Sequence, residues 1–454
     1  MQFPRLMIAG VHSSSGKTTV SLGLMTALKR RHIKVQPFKV GPDYIDPGLH
    51  SHASGRSSHN LDSWMMPPEV IQTVFARNAA NAEISIIEGV MGLFDGYRGE
   101  RIAGSSAEVA LLLKIPVVLV VDVKAMSQSC VPLVKGFMEY QPGVEIKGVV
   151  LNHASQFHQQ WVAPNLEEEL GVKVLGCVPR EESISIPERH LGLLPADEHG
   201  ELASQLNKMA DLLEAHLDLE AVLALSREAS PLPFCYDAPQ VQKRVTIGIA
   251  RDAAFSFYYQ DSLDYLSELG AELKYFSPLN DSSLPEVDGI YIGGGFPEMF
   301  LPQLSRNSGM KEAINQAYRT GMPILAECGG LMYLSRSIKD WEGKSWPGVG
   351  LVPGEVIMTR RLQELGYVQA TALKDTVIAG SGEELRGHEF HYSTLEGINP
   401  QDCAFECEGG MRPGLRRGGY AQGSLLASYL HLQLRANPTA AQRFIARCLE
   451  YRNR

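Results

Sequence analysis

One stretch constrains this chain more than any other: the apolar run 6–9 followed by Gly10-Val-His-Ser-Ser-Ser-Gly16-Lys17-Thr18-Thr19. A short strand-like segment ends in a glycine, a second glycine closes a hydroxyl-rich turn, and an amphipathic helical pattern begins at the lysine. Strand, glycine loop and helix in that order aim successive backbone N–H groups and a helix N-terminus at one spot, which is how a backbone wraps a polyphosphate. In that frame Gly10, Ser15, Gly16 and Thr19 belong to the loop, Lys17 reaches the outer phosphates, and the Thr18 hydroxyl is a ligand for Mg2+. A strand that feeds such a loop from its C-terminal end belongs to a parallel sheet with crossover helices, so the expected fold class is α/β.

The alternation continues along the chain. Strands are expected at 34–38, 84–88, 117–122, 148–152 and 173–178, with helices at 17–31, 105–114, 156–170 and 201–225. A polar stretch at 226–240, rich in proline, then breaks the pattern. A second alternation follows, with strands at 245–250, 272–275, 287–292 and 323–326 and helices at 258–269, 308–319 and 439–451. A chain of 454 residues is expected to form more than one domain. The composition break divides it into 1–226, a linker at 227–243, and 244–454.

Composition excludes several classes. The net charge of −9 leaves no basic face for generic nucleic-acid binding. The most apolar stretch, 110–121, contains Lys114 and Pro116, so no membrane span is expected. The first residues enter a strand without a signal-peptide layout, and the expected location is cytoplasmic. Seven scattered cysteines do not form a disulfide framework, and Cys403 with Cys407 lacks the second pair that zinc needs.

Glu88 ends a buried strand pattern and is followed by Gly89, Gly92 and Asp95, which makes it the expected carboxylate partner of Thr18 at magnesium. The segment Gly41-Pro-Asp43-Tyr44-Ile-Asp46-Pro-Gly48 reads as a carboxylate-rich loop at the same rim. Asp43 is a further metal candidate there. Asp43, Tyr44, Asp46 and Asp95 are candidates for holding substrate. Asn152, at a strand end, reads either the adenine edge of a nucleotide or caps its own strand.

A second site is written at Pro323-Ile-Leu-Ala-Glu-Cys328-Gly329-Gly330, an apolar strand, a cysteine, two glycines and an apolar helix. This is a nucleophile elbow with sulfur in place of oxygen, and a helix N-terminus favours a thiolate. The glycines at Gly294 and Gly295, with Gly329, are positioned as oxyanion donors. The nucleophile needs a base, and His431, late in the domain, is the expected one. His388 and His391 lie in an arginine-bearing segment that reads as substrate-binding, and a straight strand would send them to opposite faces. His12, His32, His50, His52, His59 and His153 have no assigned role.

These residues together resemble known families. The five residues between Gly10 and Gly16, one more than the usual phosphate loop carries, are similar to dethiobiotin synthetase and its relatives. The Cys328 elbow, Gly293-Gly-Gly-Phe-Pro-Glu298 and His431 resemble a class I glutamine amidotransferase. Joined to Gly41-Pro-Asp-Tyr-Ile-Asp-Pro47, Glu188-Arg-His-Leu-Gly192, Ala253-Ala-Phe-Ser-Phe257 and Arg386-Gly-His-Glu-Phe-His-Tyr-Ser393, they are similar to the cobyrinate a,c-diamide synthase family over most of the chain.

The resemblance implies a dethiobiotin-synthetase-like P-loop domain using ATP and Mg2+, followed by a class I glutamine amidotransferase α/β domain. It implies L-glutamine as nitrogen source and the corrinoid cobyrinate as substrate. Its a and c acetates become amides in cobalamin biosynthesis. Partners are then small molecules, with no nucleic acid and no membrane, and a homodimer is left open. The same chemistry on hydrogenobyrinate or nickel-sirohydrochlorin is an alternative. So, from another class, is a P-loop nucleotide switch with a non-catalytic C-terminal binding domain. One departure stands out. The amidotransferase family usually has His-x-Glu where this chain has His431-Leu-Gln433. Glutamine cannot stabilise an imidazolium as a carboxylate does, which implies a Cys–His dyad with weaker thiolate activation.

Overall fold

The run Val117-Val-Leu-Val-Val121 offers water no polar residue on either face, a pattern that fits a strand covered by helices on both sides. The computed structural model places it inside a parallel sheet. The structure describes residues 2–184, 200–233 and 241–454, with only the backbone at 188–189 and 192–193; the Glu188-to-Gly192 motif thus falls largely outside it. The chain folds as two units, Met1–Ala238 and Pro239–Arg454.

The first unit holds seven parallel strands: β1 (Arg5–Gly10), β2 (Val35–Val40), β3 (His59–Leu61), β4 (Ile84–Gly92), β5 (Val117–Asp122), β6 (Ile146–Asn152) and β7 (Lys173–Val178). Their spatial order is β3-β2-β4-β1-β5-β6-β7. The chain winds in one direction from β1 to β2 and in the other from β4 to β5. The loops that follow β1 and β4 therefore open at the switch point, where ligands gather in such sheets. The helix α1 (Lys17–Arg30) starts there and buries Val20, Leu24, Met25 and Leu28 in a core shared with Met209 and Leu213.

Three differences from the expected elements have physical causes. The segment after Gly41 is not all loop, because a helix α2 (Ile45–Ser54) begins inside it. The Asp43 carboxylate accepts the N–H groups of Ile45 and Asp46 at 2.8 and 3.1 Å, and Pro47 sits in the first turn, where its missing N–H does no harm. The single helix expected at 201–225 is two, Leu202–His216 and Leu219–Arg227. Asp218 breaks it by donating its N–H to Leu175 and capping Ala221 with its side chain. Helices at Pro68–Ala79 and Cys130–Tyr140 and the three-residue strand β3 were not read from the sequence at all.

The start of the expected linker is anchored to the first unit. Arg5 is fully buried in β1, and its guanidinium donates to the carbonyls of Phe3, Leu113, Lys114 and Ser230 at 2.6–3.0 Å. Gln2 donates to Arg227 and Ala229.

The second unit is built on β8 (Val245–Ala250), β9 (Ala271–Phe276), β10 (Gly289–Ile292), β11 (Ile324–Glu327), β12 (Tyr420–Gln422) and β13 (Leu425–Ser428), in the order β9-β8-β10-β11-β13-β12. All pairs are parallel except the edge pair β12–β13. After β13 the chain crosses to a five-stranded antiparallel sheet, where His431–Leu432 pairs with Glu384–His391. Separate apolar cores cover the main sheet, one around Ile290, Ile292 and Leu331 and one around Ile249, Leu426 and Phe444. No helix among the described residues is long and apolar enough to cross a membrane.

Candidate functional site

The phosphate-type loop depends on Gly16, which lies in the left-handed region at φ +97°. A Cβ there would also stand 2.1 Å from the amide nitrogen of Asn152. That nitrogen donates to the Ser15 carbonyl at 3.0 Å, so Asn152, at the end of β6, props the loop backbone from beneath. One of its two amide N–H groups is thus given to the loop. The Ser15 hydroxyl is fully buried and has no hydrogen-bond partner among the described residues, a vacancy that a phosphate oxygen would fill. Lys17 folds back over the loop, with Nζ 3.3 Å from the His12 carbonyl. Burial, and after it the charge of Lys39, pull its pKa down. Thr19 follows in the first turn of α1.

Glu88 has no exposed surface and three side-chain partners. Its Oε1 accepts the Thr18 hydroxyl at 2.8 Å and the Lys39 ammonium at 2.9 Å, and its Oε2 lies 2.7 Å from His50 Nε2. The parallel register of β2 and β4 sets Lys39 directly beside Glu88. Lys39 also meets Asp46 at 2.6 Å and the Gly89 carbonyl at 3.2 Å. Burial works against the charge on Glu88, yet Lys39 and His50 outweigh it and hold the carboxyl well below its ordinary range. Burial and neighbouring Asp43 push Asp46 the other way, against the pull of Lys39.

One rim carboxylate differs from expectation. Asp46 is buried on Lys39 and is not poised in a loop. Asp43 caps α2, with Tyr44 at the head of that helix, and Asp95 accepts the Gly92 N–H at 2.8 Å. Lys39 and His50 were missed in the sequence. Their signal was a lysine inside an apolar strand, since a buried cation demands a counter-charge. Lys39→Met removes the cation that Glu88 and Asp46 share, leaving Asp46 without its ion pair, and we expect a loss of about 3–5 kcal/mol of stability, read by urea unfolding of the full chain. The Thr18 hydroxyl and Glu88 carboxylate, adjacent oxygen donors, are the residues that would hold a hard divalent cation.

In the second unit Cys328 joins β11 to the helix Gly329–Leu334 at φ +46° and ψ −99°, a strained position for a residue with a side chain. Its N–H is tied to the Ser428 carbonyl at 2.7 Å. A Cβ on Gly330 would stand 2.3 Å from the Ile292 carbonyl and one on Gly329 3.0 Å from the Gly295 nitrogen, so only glycines let the helix start against the end of β10. Gly294 is a correction. Its N–H bonds to the Phe257 carbonyl at 3.2 Å, which removes it as an oxyanion donor and leaves Gly295 and Gly329 beside Cys328.

His431 is 3% exposed, with its ring edge against Gly294, and Cys328 is the strongest electrostatic influence on its charge after burial. Burial opposes its charge, but Cys328 and then Glu327 push the imidazole up to about 10. His388 lies across the strand pair from His431, buried between Tyr367 and Phe390. Burial and then His431 drive it down to about 3. This is a second correction, since His388 was expected to face substrate. His391 stacks on Tyr429 with centroids 3.8 Å apart, and burial pushes it down to about 4.

Gln433 turns away from His431. Its amide donates to Asp261 at 2.8 Å and accepts the Ala436 N–H at 2.7 Å. The carboxylate nearest His431 Nδ1 is instead Glu327, at 3.6 Å. The sequence reading passed over Glu327, although an acid ending the apolar strand just before the nucleophile was visible.

Together these units define a class: a P-loop nucleotide-binding unit and a cysteine-elbow glutamine amidotransferase unit carried on one chain. Residues 6–194 match the CobQ/CobB/MinD/ParA nucleotide binding domain, and residues 246–439 match the CobB/CobQ-like glutamine amidotransferase domain. Over 454 residues the chain is 45% identical to the cobyrinate a,c-diamide synthase of Dehalococcoides mccartyi, covering 98% of each. It is 43% identical to the protein of the same name from Caldanaerobacter subterraneus, again across 98% of both chains. Against that of Archaeoglobus fulgidus it is 41% identical, covering 99% of this chain and 98% of the other. The chain belongs to the cobyrinate a,c-diamide synthase family.

Proposed function

We propose that this protein is a cytoplasmic ligase that converts the a and c acetate carboxylates of cobyrinate to amides, using ATP and nitrogen from L-glutamine. The observation that carries this reading is the strained Cys328 elbow, with the His431 ring packed against the neighbouring Gly294, in a chain that also holds a phosphate-type loop facing a buried acid.

Cys328 Sγ attacks the side-chain amide carbon of glutamine, the C–N bond breaks, and His431 protonates the departing nitrogen to release ammonia. The N–H groups of Gly295 and Gly329 steady the oxyanion. Water then opens the glutamyl thioester, with His431 taking its proton and returning one to sulfur. In the other unit the loop amides, the Ser15 hydroxyl and Lys17 hold the phosphates, and Lys17 offsets the charge that builds during phosphoryl transfer to the substrate carboxylate. Mg2+, when held by Thr18 and Glu88, supplies further neutralisation of that charge. Ammonia displaces phosphate from the acyl phosphate to leave the amide. Asp43 and Asp95 are the carboxylates we assign to holding the corrinoid rim, while Lys39 keeps Asp46 and Glu88 in place.

The experiment is mass spectrometry of products from cobyrinate, ATP and glutamine. Two successive exchanges of hydroxyl for amino group are expected. Parallel reactions with hydrogenobyrinate and nickel-sirohydrochlorin separate the tetrapyrroles, and absence of amide with all three overturns the assignment.

A further inference from the structure

Gln433 occupies the position where a carboxylate usually supports the histidine, and it is committed to Asp261. The Glu327 carboxylate, 2% exposed, stands in its place: Oε2 is 3.6 Å from His431 Nδ1, and Oε1 accepts the Leu432 N–H at 3.4 Å. In a regular strand, neighbours such as Glu327 and Cys328 point to opposite faces. The positive-φ turn at Cys328 breaks that alternation, so both side chains reach the same imidazole.

Several ionisable groups surround the pair. The ionisable groups facing His431 are Cys328 and Glu327 from the elbow, and His388, Glu389 and His391 from the neighbouring strand. Glu389 is paired with Arg416, and burial keeps His388 and His391 neutral. The Glu327 charge acts on the buried Tyr291 hydroxyl, and no lysine or arginine among the described residues forms an ion pair with Glu327.

We propose that Glu327 is the third member of a Cys328–His431–Glu327 triad, a positioning residue that holds Nδ1 and balances the imidazolium from the position immediately before the nucleophile. With Nδ1 turned to Glu327, Nε2 is left for the thiol. The expected simple dyad is thereby replaced by a triad with a relocated acid. The inference rests on the reading of Cys328 and His431 as a glutamine site.

The test uses the full chain with Glu327→Gln and Glu327→Asp, assayed with cobyrinate and ATP plus either glutamine or ammonium. Glu327→Gln is expected to lower glutamine-supported kcat by about 10²–10³-fold while ammonium-supported amidation stays at the wild-type rate. Removing the carboxylate also weakens the imidazolium, so the alkaline limb of the glutamine pH profile moves to lower pH. Glu327→Asp restores part of the rate and of the limb, which a purely structural role would not do. A wild-type glutamine rate in Glu327→Gln, a loss with an unmoved limb, or an equal loss with both nitrogen sources overturns the triad. Cys328→Ser serves as the control: if it still turns over glutamine, the reading of the site itself fails, whatever Glu327 does.

Discussion

Cys328→Ala abolishes glutamine-supported amidation, by at least about 10³-fold, and leaves amidation with ammonium at elevated pH intact. The first half of this expectation follows from the elbow. The φ of +46° presents the side chain at position 328 to His431, and a methyl group there has no lone pair with which to attack an amide. The second half follows from the organisation of the chain. The phosphate-type loop, Lys17, Thr18, Glu88 and Lys39 all lie in the first unit, whose apolar core is distinct from those of the second. Ammonia supplied from solution then bypasses the sulfur, and high pH raises the share of the nucleophilic free base. The measurement is amide formation by mass spectrometry with each nitrogen source. Loss of the ammonium reaction as well would mean that the two chemistries are not separable.

Lys17→Ala produces the opposite pattern. Amide formation falls by about 10³-fold or more with either nitrogen source, while release of glutamate from glutamine persists. Lys17 is the cation that folds over the loop, held near the His12 carbonyl, and burial costs it solvation that a phosphate charge would offset. Alanine leaves the backbone amides and the Thr18–Glu88 contact in place but removes the charge that meets the transferring phosphoryl group. Coupled assays of glutamate release and amide formation on one preparation read both effects. If glutamate release also stops, the lysine acts on the second unit, and the division of labour is wrong.

Much of this was legible before any coordinates, because it depends on short-range order. The loop between Gly10 and Lys17 and the elbow at Cys328 are strand-to-helix turns whose glycines sit a few residues from the groups they serve. The hydrophobic runs of β1, β5 and β8 are continuous enough to mark buried parallel strands. The helix inside the Gly41 segment was illegible for a local reason: Asp43 reads as a turn residue but acts as a cap.

The sequence alone determined the α/β class, the phosphate-type loop and the cysteine elbow, since each rests on short-range patterns of strand, glycine and helix. Only the tertiary structure decided which acid faces His431, that Gly294 has no N–H to offer, and that Lys39 and His50 hold Glu88. Those contacts join residues from about 40 to 105 positions apart through helix packing and strand pairing, and where strands pair a shift of one residue reverses every side chain. A buried charge then takes whatever partner the register brings within reach.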